Sequence, residues 1–240
     1  MKTTILAAAL GAFATMMAMT ACSGLDTGNG EAGHITFALS VDDVPAPDQS
    51  GNAFTLTAAH AHVRHVEVYL PAGTTCDGLS GASLAGCDGE KIRIDGPWDV
   101  DLITGQTTPE LPTIEVPLGT LTRIDVRFDP SAATDLTLTA AGTTTFDGQP
   151  TPFTLALKFD EVARFDASSG IKLSPKIIED AFLRLDPSSW FATLPLTQCA
   201  ADGDLPIDNG TIVLEDGKSS CSKVENTVRD AIKASGRVED

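Results

Sequence analysis

The amino-acid sequence predicts an all-β domain, a β-sandwich, with one short α-helix near its carboxyl end. Short segments that alternate apolar and polar residues recur along the chain, and 21 glycines and 14 prolines supply turns between them. Strands at such close spacing favour a sandwich over the alternating strands and helices of a parallel sheet. We assign residues 34–185 to the sandwich and residues 186–240 to a carboxyl-terminal extension.

The clearest single strands are His34–Val41, Ala59–Leu70 and Leu121–Phe128. In each of them apolar residues recur at alternate positions, which predicts a sheet with one buried and one solvated face. Six weaker candidates complete the set: Lys91–Ile94, Trp98–Ile103, Thr113–Val116, Glu161–Phe165, Ile171–Leu173 and Ala181–Leu185.

A hairpin gives the strongest local signal. Asp135–Phe146 and Gln149–Phe159 flank the pair Asp147-Gly148, and Asp-Gly is a preferred pair in two-residue hairpin turns. Gly142, inside the first arm, predicts a bulge or bend.

The carboxyl-terminal extension carries the helix signals. Asp186-Pro187 predicts a short helical turn that Asp caps and Pro begins. Further on, Ser222-Lys223-Val224-Glu225 has the form of a capping box. The apolar residues of the helix that follows share one face, which we expect to pack on the sandwich. They are Val224, Val228, Ala231 and Ile232, and Gly236 is expected to end the helix.

The first 21 residues have the pattern of an export signal. Lys2 precedes an uncharged, mostly apolar run from Ile5 to Met19, which is too short for a stable membrane span. The run ends in Met19-Thr20-Ala21-Cys22. We therefore expect residues 1–21 to be removed as a signal peptide.

The four residues that end in Cys22 resemble the bacterial lipobox. That resemblance implies acylation of the Cys22 thiol, cleavage before it and acylation of the new amine. Several acyl chains on one residue would anchor the protein stably in a membrane. Ser23 implies, by the same resemblance, the outer membrane, at its periplasmic face or at the cell surface. The alternative is an ordinary secretory signal and a free Cys22. Residues 22–33, rich in small residues, are expected to form a flexible tether.

Four further cysteines predict disulfides, because their number is even and the chain is exported. Three pairings are possible, and the sequence favours the two local ones. Cys76 and Cys87 bracket a Gly/Ser-rich loop, and Cys199 and Cys221 bracket a polar segment.

The charge of the chain argues against nucleic-acid partners. Without Lys2 the chain keeps 15 basic and 33 acidic residues, a formal charge of −18. Such a chain is repelled by phosphate backbones.

Several strand segments resemble a family of bacterial extracellular lipoproteins, the domain of unknown function 4382 (DUF4382). They are Val63–Val68, Asp99–Ile103, Pro117–Ile124 and Leu155–Asp160. The resemblance spans roughly residues 60–174 and implies an immunoglobulin-like or transthyretin-like sandwich. It implies no established activity, no cofactor and no catalytic residues.

Two groups of residues are candidate metal ligands. His60 and His62 share a strand face, roughly 6.6 Å apart along the backbone, which suits a transition metal. His34 and His65 are possible additions, although His65 points away unless a bulge intervenes. Solvated histidines on an edge strand explain the cluster equally well. Acidic residues near Asp202, Asp204 and Asp208 offer oxygen ligands for calcium but miss the EF-hand order.

No enzyme signature is present in the sequence, although a triad of distant residues would escape such a search. We therefore expect a non-enzymatic, lipid-anchored module of the cell envelope that presents its loops to a protein or polysaccharide partner. The runner-up is a metal-binding or calcium-binding periplasmic lipoprotein.

Overall fold

The computed structural model describes residues 32–42, 45–76, 79, 86–130, 135–215 and 221–239. The predicted signal peptide, Cys22 and most of the predicted tether lie outside these residues. The last two tether residues, Ala32 and Gly33, begin the first strand. Strands dominate the described residues, with two α-helices, so the predicted all-β class is confirmed.

The strands are numbered in chain order: β1 (Ala32–Val41), β2 (Ala46–Pro47), β3 (Ala53–Tyr69), β4 (Gly86–Cys87), β5 (Lys91–Asp101), β6 (Gln106–Thr108), β7 (Ile114–Pro117), β8 (Gly119–Phe128), β9 (Leu138–Phe146), β10 (Gln149–Leu157), β11 (Glu161–Leu173), β12 (Ile178–Leu185), β13 (Ile207–Asp208), β14 (Thr211–Leu214) and β15 (Gly236–Glu239). The helices are α1 (Leu196–Ala201) and α2 (Val224–Ala234), and Pro187–Ser189 forms a 3₁₀ turn.

The strands form one curled, hydrogen-bonded sheet that forks at β3. The first half of β3 pairs with β9 and its second half pairs with β8. Strand β5 pairs with the opposite edge of β3. The fork lies at His62, whose amide donates to Thr137 while its carbonyl accepts from Asp129. Both backbone groups of one strand residue point to the same edge. Thus β8 ends and β9 begins along a single edge of β3.

One branch of the fork is built from distant parts of the chain. Beyond β8 the order is β11, β15, β12, β1 and β7. The pairing of β1 with β12 is parallel, whereas β1 and β7 are antiparallel. The alternating apolar residues of β1, Ile35, Phe37 and Leu39, are buried as predicted.

The other branch contains the predicted hairpin. Gln149 pairs with Phe146, so Asp147 and Gly148 form a two-residue turn with φ of 48° and 72°. Two positive φ values are what a type I′ turn requires, which explains the Asp-Gly pair. The hairpin prediction is therefore confirmed.

The prediction of a bulge at Gly142 of β9 is wrong, because the bulge lies in the neighbouring strand β3. Gly142 keeps its register with Phe153, and the irregularity lies opposite, between Leu56 and Ala58 of β3. A Cβ atom on Gly142 would lie 1.9 Å from the carbonyl oxygen of Thr55. Gly142 is thus required by the close approach of a bulged neighbour.

The carboxyl-terminal segment belongs to the sheet rather than lying outside it. Strand β14 runs parallel to β10, and β15 lies between β11 and β12. Phe191 stacks on Phe54 with ring centroids 4.2 Å apart, so the segment also enters the core. The sequence prediction missed α1, β13, β14 and β15. Short segments carry too few periods for a pattern to be read from them.

The turn and helix predicted in this segment are present, with one error. The Asp186 carboxylate accepts from the amide of Ser188 and Pro187 begins the turn, as expected. Val228 and Ile232 of α2 are buried against the sheet. The capping box is wrong, because the cap position is Lys223 rather than Ser222, and the cap residue makes no side-chain hydrogen bond to the helix.

Both local disulfides are formed. Cys76 joins Cys87, with Cα atoms 6.3 Å apart, and Cys199 joins Cys221, with Cα atoms 5.5 Å apart. The predicted pairing is therefore confirmed. Cys199 and Cys221 are buried, so the second bridge fixes α1 and the start of α2 to the core. Among the described residues, no helix is long and apolar enough to cross a membrane.

Candidate functional site

The two histidines predicted as metal ligands lie on the outer face of β3, where β5 pairs with it. His60 is opposite Asp101 and His62 is opposite Asp99. The His62 Nδ1 atom contacts the carbonyl oxygen of Asp129. Asp101 accepts hydrogen bonds from the amides of Ile103 and Thr104, which stabilise the next turn. Both His62 and Asp101 are therefore already engaged in local structure.

The acidic residues predicted for calcium lie in separate local structures. Asp202 accepts a hydrogen bond from Gln198. Asp208 ends β13, and Asn209 and Gly210 make its turn into β14 with φ of 49° and 82°. Asn-Gly is another pair preferred in type I′ turns. Across the residues that the structure describes, no three His, Cys, Asp or Glu side chains are grouped to hold a metal ion.

A bulge in β3 decides where His65 points. The register of β3 shifts between Val63 and His65, with Arg64 as the extra residue against β8. Ala61 and Val63 are buried before the shift, and Val66 and Val68 after it. His65 therefore shares the outer face with His62, the exception that the sequence analysis allowed. His34 lies on β1, where its Nε2 atom is 3.7 Å from Glu115.

On the carboxyl-terminal side of the bulge in β3, the outer side chains of the neighbouring strands β5, β3, β8 and β11 form a surface that we name the charged face. Three of these strands repeat an Arg-x-Asp motif. In Arg93-Ile94-Asp95, Arg123-Ile124-Asp125 and Arg164-Phe165-Asp166, each Arg Nε lies 2.7 Å from its Asp Oδ1. Residues two apart on a strand share a face, which permits the pairing. The charged face consists of Lys91, Arg93, Asp95, His65, Glu67, Tyr69, Arg123, Asp125, Arg127, Arg164 and Asp166.

The centre of the charged face is buried by its own long side chains. Asp125 is 5% exposed although it belongs to the outer face. Its neighbour Glu67 accepts a hydrogen bond of 2.9 Å from Lys91, and this bond raises the pKa of the Lys91 ammonium. The hydrogen bond to Asp125 likewise raises the pKa of the Arg123 guanidinium. The hydrogen bonds within these pairs offset part of the hydration that the charges lose on burial.

His65 is the buried imidazole of this face. Burial lowers the pKa of His65, and the positive charge of Arg93 adds to the effect. Glu67 and Asp95 oppose the shift, while Arg127 supports it. The Nδ1 atom of His65 has no hydrogen-bond partner among the described residues.

A cleft of about 570 Å³ opens at the end of the charged face. It is lined by Tyr69, Arg123, Arg164 and Asp166 and by the turn formed by residues 70–74. The Arg123 guanidinium covers the Tyr69 ring at 4.2 Å from its centroid. Burial raises the pKa of the Tyr69 hydroxyl, and the Asp125 charge adds to the effect. The cleft therefore offers a neutral phenol and two guanidinium groups to a polar ligand.

The sequence patterns described above predict neither the cleft nor the charged face. The sequence repeats an Arg-apolar-Asp triplet at residues 93–95, 123–125, 127–129, 164–166 and 184–186. In the triplets at 93–95, 123–125 and 164–166 the Arg and Asp side chains pair with each other on the charged face. One such triplet is an ordinary feature of a solvated strand. Only the order of β5, β3, β8 and β11 brings the three together.

The chain matches no protein-family model and no curated protein sequence. Among solved structures it is similar to MbnP from Methylosinus trichosporium, with 12% sequence identity and a TM-score of 0.31. The alignment covers 68% of this chain and 78% of that chain. A likeness this weak supports no inference about the function.

Proposed function

We propose that the protein is a lipid-anchored, non-enzymatic interaction module of the bacterial cell envelope, bound to the outer membrane through Cys22. The charged face carries the interaction part of this proposal, and the resemblance of residues 19–22 to a lipobox supports the anchor. It holds ordered guanidinium and carboxylate groups of both signs beside an open cleft, which suits a polar partner. A protein surface or a polysaccharide with charged groups has that chemistry.

We further propose that the framework is a variant of an immunoglobulin-like or transthyretin-like sandwich, as the resemblance to DUF4382 implies. The fork at His62 supports this, because it divides one sheet into two branches with a shared core. Two packed layers are also consistent with the burial of inner side chains on β3, β8 and β12. These side chains are Val66, Val126 and Leu183.

The anchor is tested by mass spectrometry of the mature protein purified from membranes. The expected amino-terminal peptide begins with Cys22 and carries acyl chains on its thiol and amine. An unmodified thiol, or a mature chain that stays in the soluble fraction, contradicts the anchored part of the proposal.

The binding surface is tested by charge reversal and crosslinking in intact cells. Arg93 and Arg164 are 42% and 56% exposed, so the double variant Arg93→Glu/Arg164→Glu should fold. We expect it to lose the crosslinked envelope partner of the wild-type protein. Lys158→Glu/Lys223→Glu reverses two exposed charges outside the charged face, so it is the matched control and should retain the partner. Equal recovery from both variants contradicts a role for the charged face.

Metal binding is the second candidate function, favoured by the placement of His60 and His62 opposite two aspartates. Calorimetric titration of metal-free protein with Cu²⁺, Zn²⁺ and Ca²⁺ tests it, with His60→Ala/His62→Ala as the control. Heat that disappears in the double variant supports this function. Equal traces for the two proteins remove a metal site at His60 and His62.

A further inference from the structure

The turn between β11 and β12 exposes two adjacent isoleucines. Ile177 is 53% exposed and Ile178 is 57% exposed. Lys172 precedes them at the end of β11, and Lys176 lies directly beside them; both are exposed. We name residues 175–178 the isoleucine tip. Large aliphatic side chains in such a position gain from leaving water.

The isoleucine tip lies at the end of the domain where the chain enters the fold. Because β1 and β12 are parallel, Ile178 pairs with His34, two residues after the start of β1. A Cβ atom on Gly33 would lie 2.9 Å from Leu173, the last residue of β11. The first strand therefore begins directly beside the tip.

The distance to the predicted anchor is short. The chain makes ten residue steps from Cys22, the lipid attachment point, to Ala32. Ten residues span at most roughly 33–36 Å when fully extended. An anchored protein must therefore keep this end of the domain within that reach of the bilayer.

We propose that the isoleucine tip inserts into the interfacial layer of the membrane that holds the lipid anchor. This inference rests on the proposed anchoring through Cys22. Ile177 and Ile178 would enter the boundary between headgroups and acyl chains, where apolar side chains of peripheral proteins bind. Lys172 and Lys176 would place their stems on apolar surface and their ammonium groups among the lipid phosphates. The acyl chains and the tip together would set the orientation of the domain on the membrane.

The orientation has a consequence for the cleft. Tyr69 and the turn after it lie at the same end as the tip, since a Cβ atom on Gly119 would lie 2.5 Å from Pro71 and Gly119 pairs with Leu173. The hairpin at Asp147 lies at the opposite end of β3, where Phe54 pairs with Thr144. Insertion of the tip would hold the cleft near the headgroups and the hairpin away from them.

The test uses the full lipidated protein in phosphatidylcholine vesicles whose acyl chains carry bromine, a quencher of tryptophan fluorescence. The native Trp98 and Trp190 are buried in the core and provide the background signal. Ile177→Trp reports on the tip, and Gln149→Trp, exposed beside the hairpin, is the matched control. Circular dichroism checks that both variants fold like the wild-type protein.

On brominated vesicles, we expect the fluorescence of the added tryptophan in Ile177→Trp to shift to the blue and to lose most of its intensity. The added tryptophan in Gln149→Trp should retain its fluorescence. Flotation and mass spectrometry of the same samples report the anchor separately. If the protein is acylated and floats with the vesicles but both variants are quenched equally, the proposed insertion is wrong. The proposed anchor is not affected by that result. Protein without acyl chains overturns the anchor and the insertion that rests on it.

Discussion

The guanidinium group of Arg123 lies over the Tyr69 ring, 4.2 Å from its centroid, and binds both carboxylate oxygens of Asp125. One side chain thus joins β3 to β8 and covers a carboxylate that would otherwise face water. The same Arg-x-Asp pairing recurs on β11, where Arg164 and Asp166 are exposed. The Arg123 pair is the more buried one and makes two hydrogen bonds, whereas the Arg164 pair is exposed and makes one, so the two can be compared directly.

Asp125→Asn should lower the free energy of unfolding by about 2 kcal/mol, because it leaves Arg123 without its ionic partner in a partly buried site. Asp166→Asn is the control and should cost less than roughly 1 kcal/mol, as exposed ion pairs contribute little. Urea denaturation followed by circular dichroism measures both. Equal losses would show that burial of the charged face has no energetic weight.

Acidification should destabilise the protein through His65. Because the folded-state pKa of His65 is lowered, the unfolded chain binds the proton more readily. The stabilisation is therefore complete above the unfolded pKa, near 6.5, and is lost as the pH falls below it. A single group contributes a slope of at most about 1.4 kcal/mol per pH unit.

Urea denaturation between pH 7 and pH 5 measures this slope, in a range that lies above the usual carboxylate pKa values. His65→Gln should flatten the dependence, while His60→Gln, at an exposed position of the same strand, should retain it. An unchanged slope in His65→Gln would rule out His65 as the source.

Gly142→Ala should destabilise the sheet by about 2 kcal/mol or more, because the new methyl group meets the Thr55 carbonyl oxygen and β3 must move. Gly86→Ala is the control, since a Cβ atom there has nothing within 4 Å and its φ is not positive. We expect the control to stay within about 0.5 kcal/mol of the wild-type protein. Thermal unfolding of both variants checks the difference, and equal melting temperatures would contradict the close approach.

The buried disulfide should matter more than the exposed one. Loop closure predicts about 3 kcal/mol for each bridge, since their loops differ only twofold in length. Replacing Cys199 and Cys221 by Ala also removes buried sulfur from the core, whereas Cys87 is exposed. We expect Cys199→Ala/Cys221→Ala to melt at a lower temperature than Cys76→Ala/Cys87→Ala. The reverse order would show that the second bridge adds nothing beyond loop closure.

The elements that sequence patterns predicted are those whose causes are local. The alternation of apolar and polar residues in His34–Val41 predicted β1. The pair Asp147-Gly148 predicted a type I′ turn, because both residues accept a positive φ. The spacing of Val228 and Ile232 predicted which face of α2 is buried. The positions of the four cysteines favoured the local pairing that is formed, in which each pair closes a short loop.

The candidate site depends on neighbours that are distant in the chain. No local pattern indicates that β1 pairs with β12, or that the bulge at Arg64 turns His65 outward. The short strand β15 has little pattern of its own, and its place between β11 and β12 comes from the edges that those strands leave open.

The amino-acid sequence by itself determined the β class, the hairpin turn and the apolar faces, because each follows from the backbone preferences or periodicity of nearby residues. Only the tertiary structure decided the forked sheet, the convergence of three Arg-x-Asp motifs and the exposure of Ile177 beside the first strand. Those features arise from pairing between strands far apart in the chain, where the free energy of the whole core selects the partners.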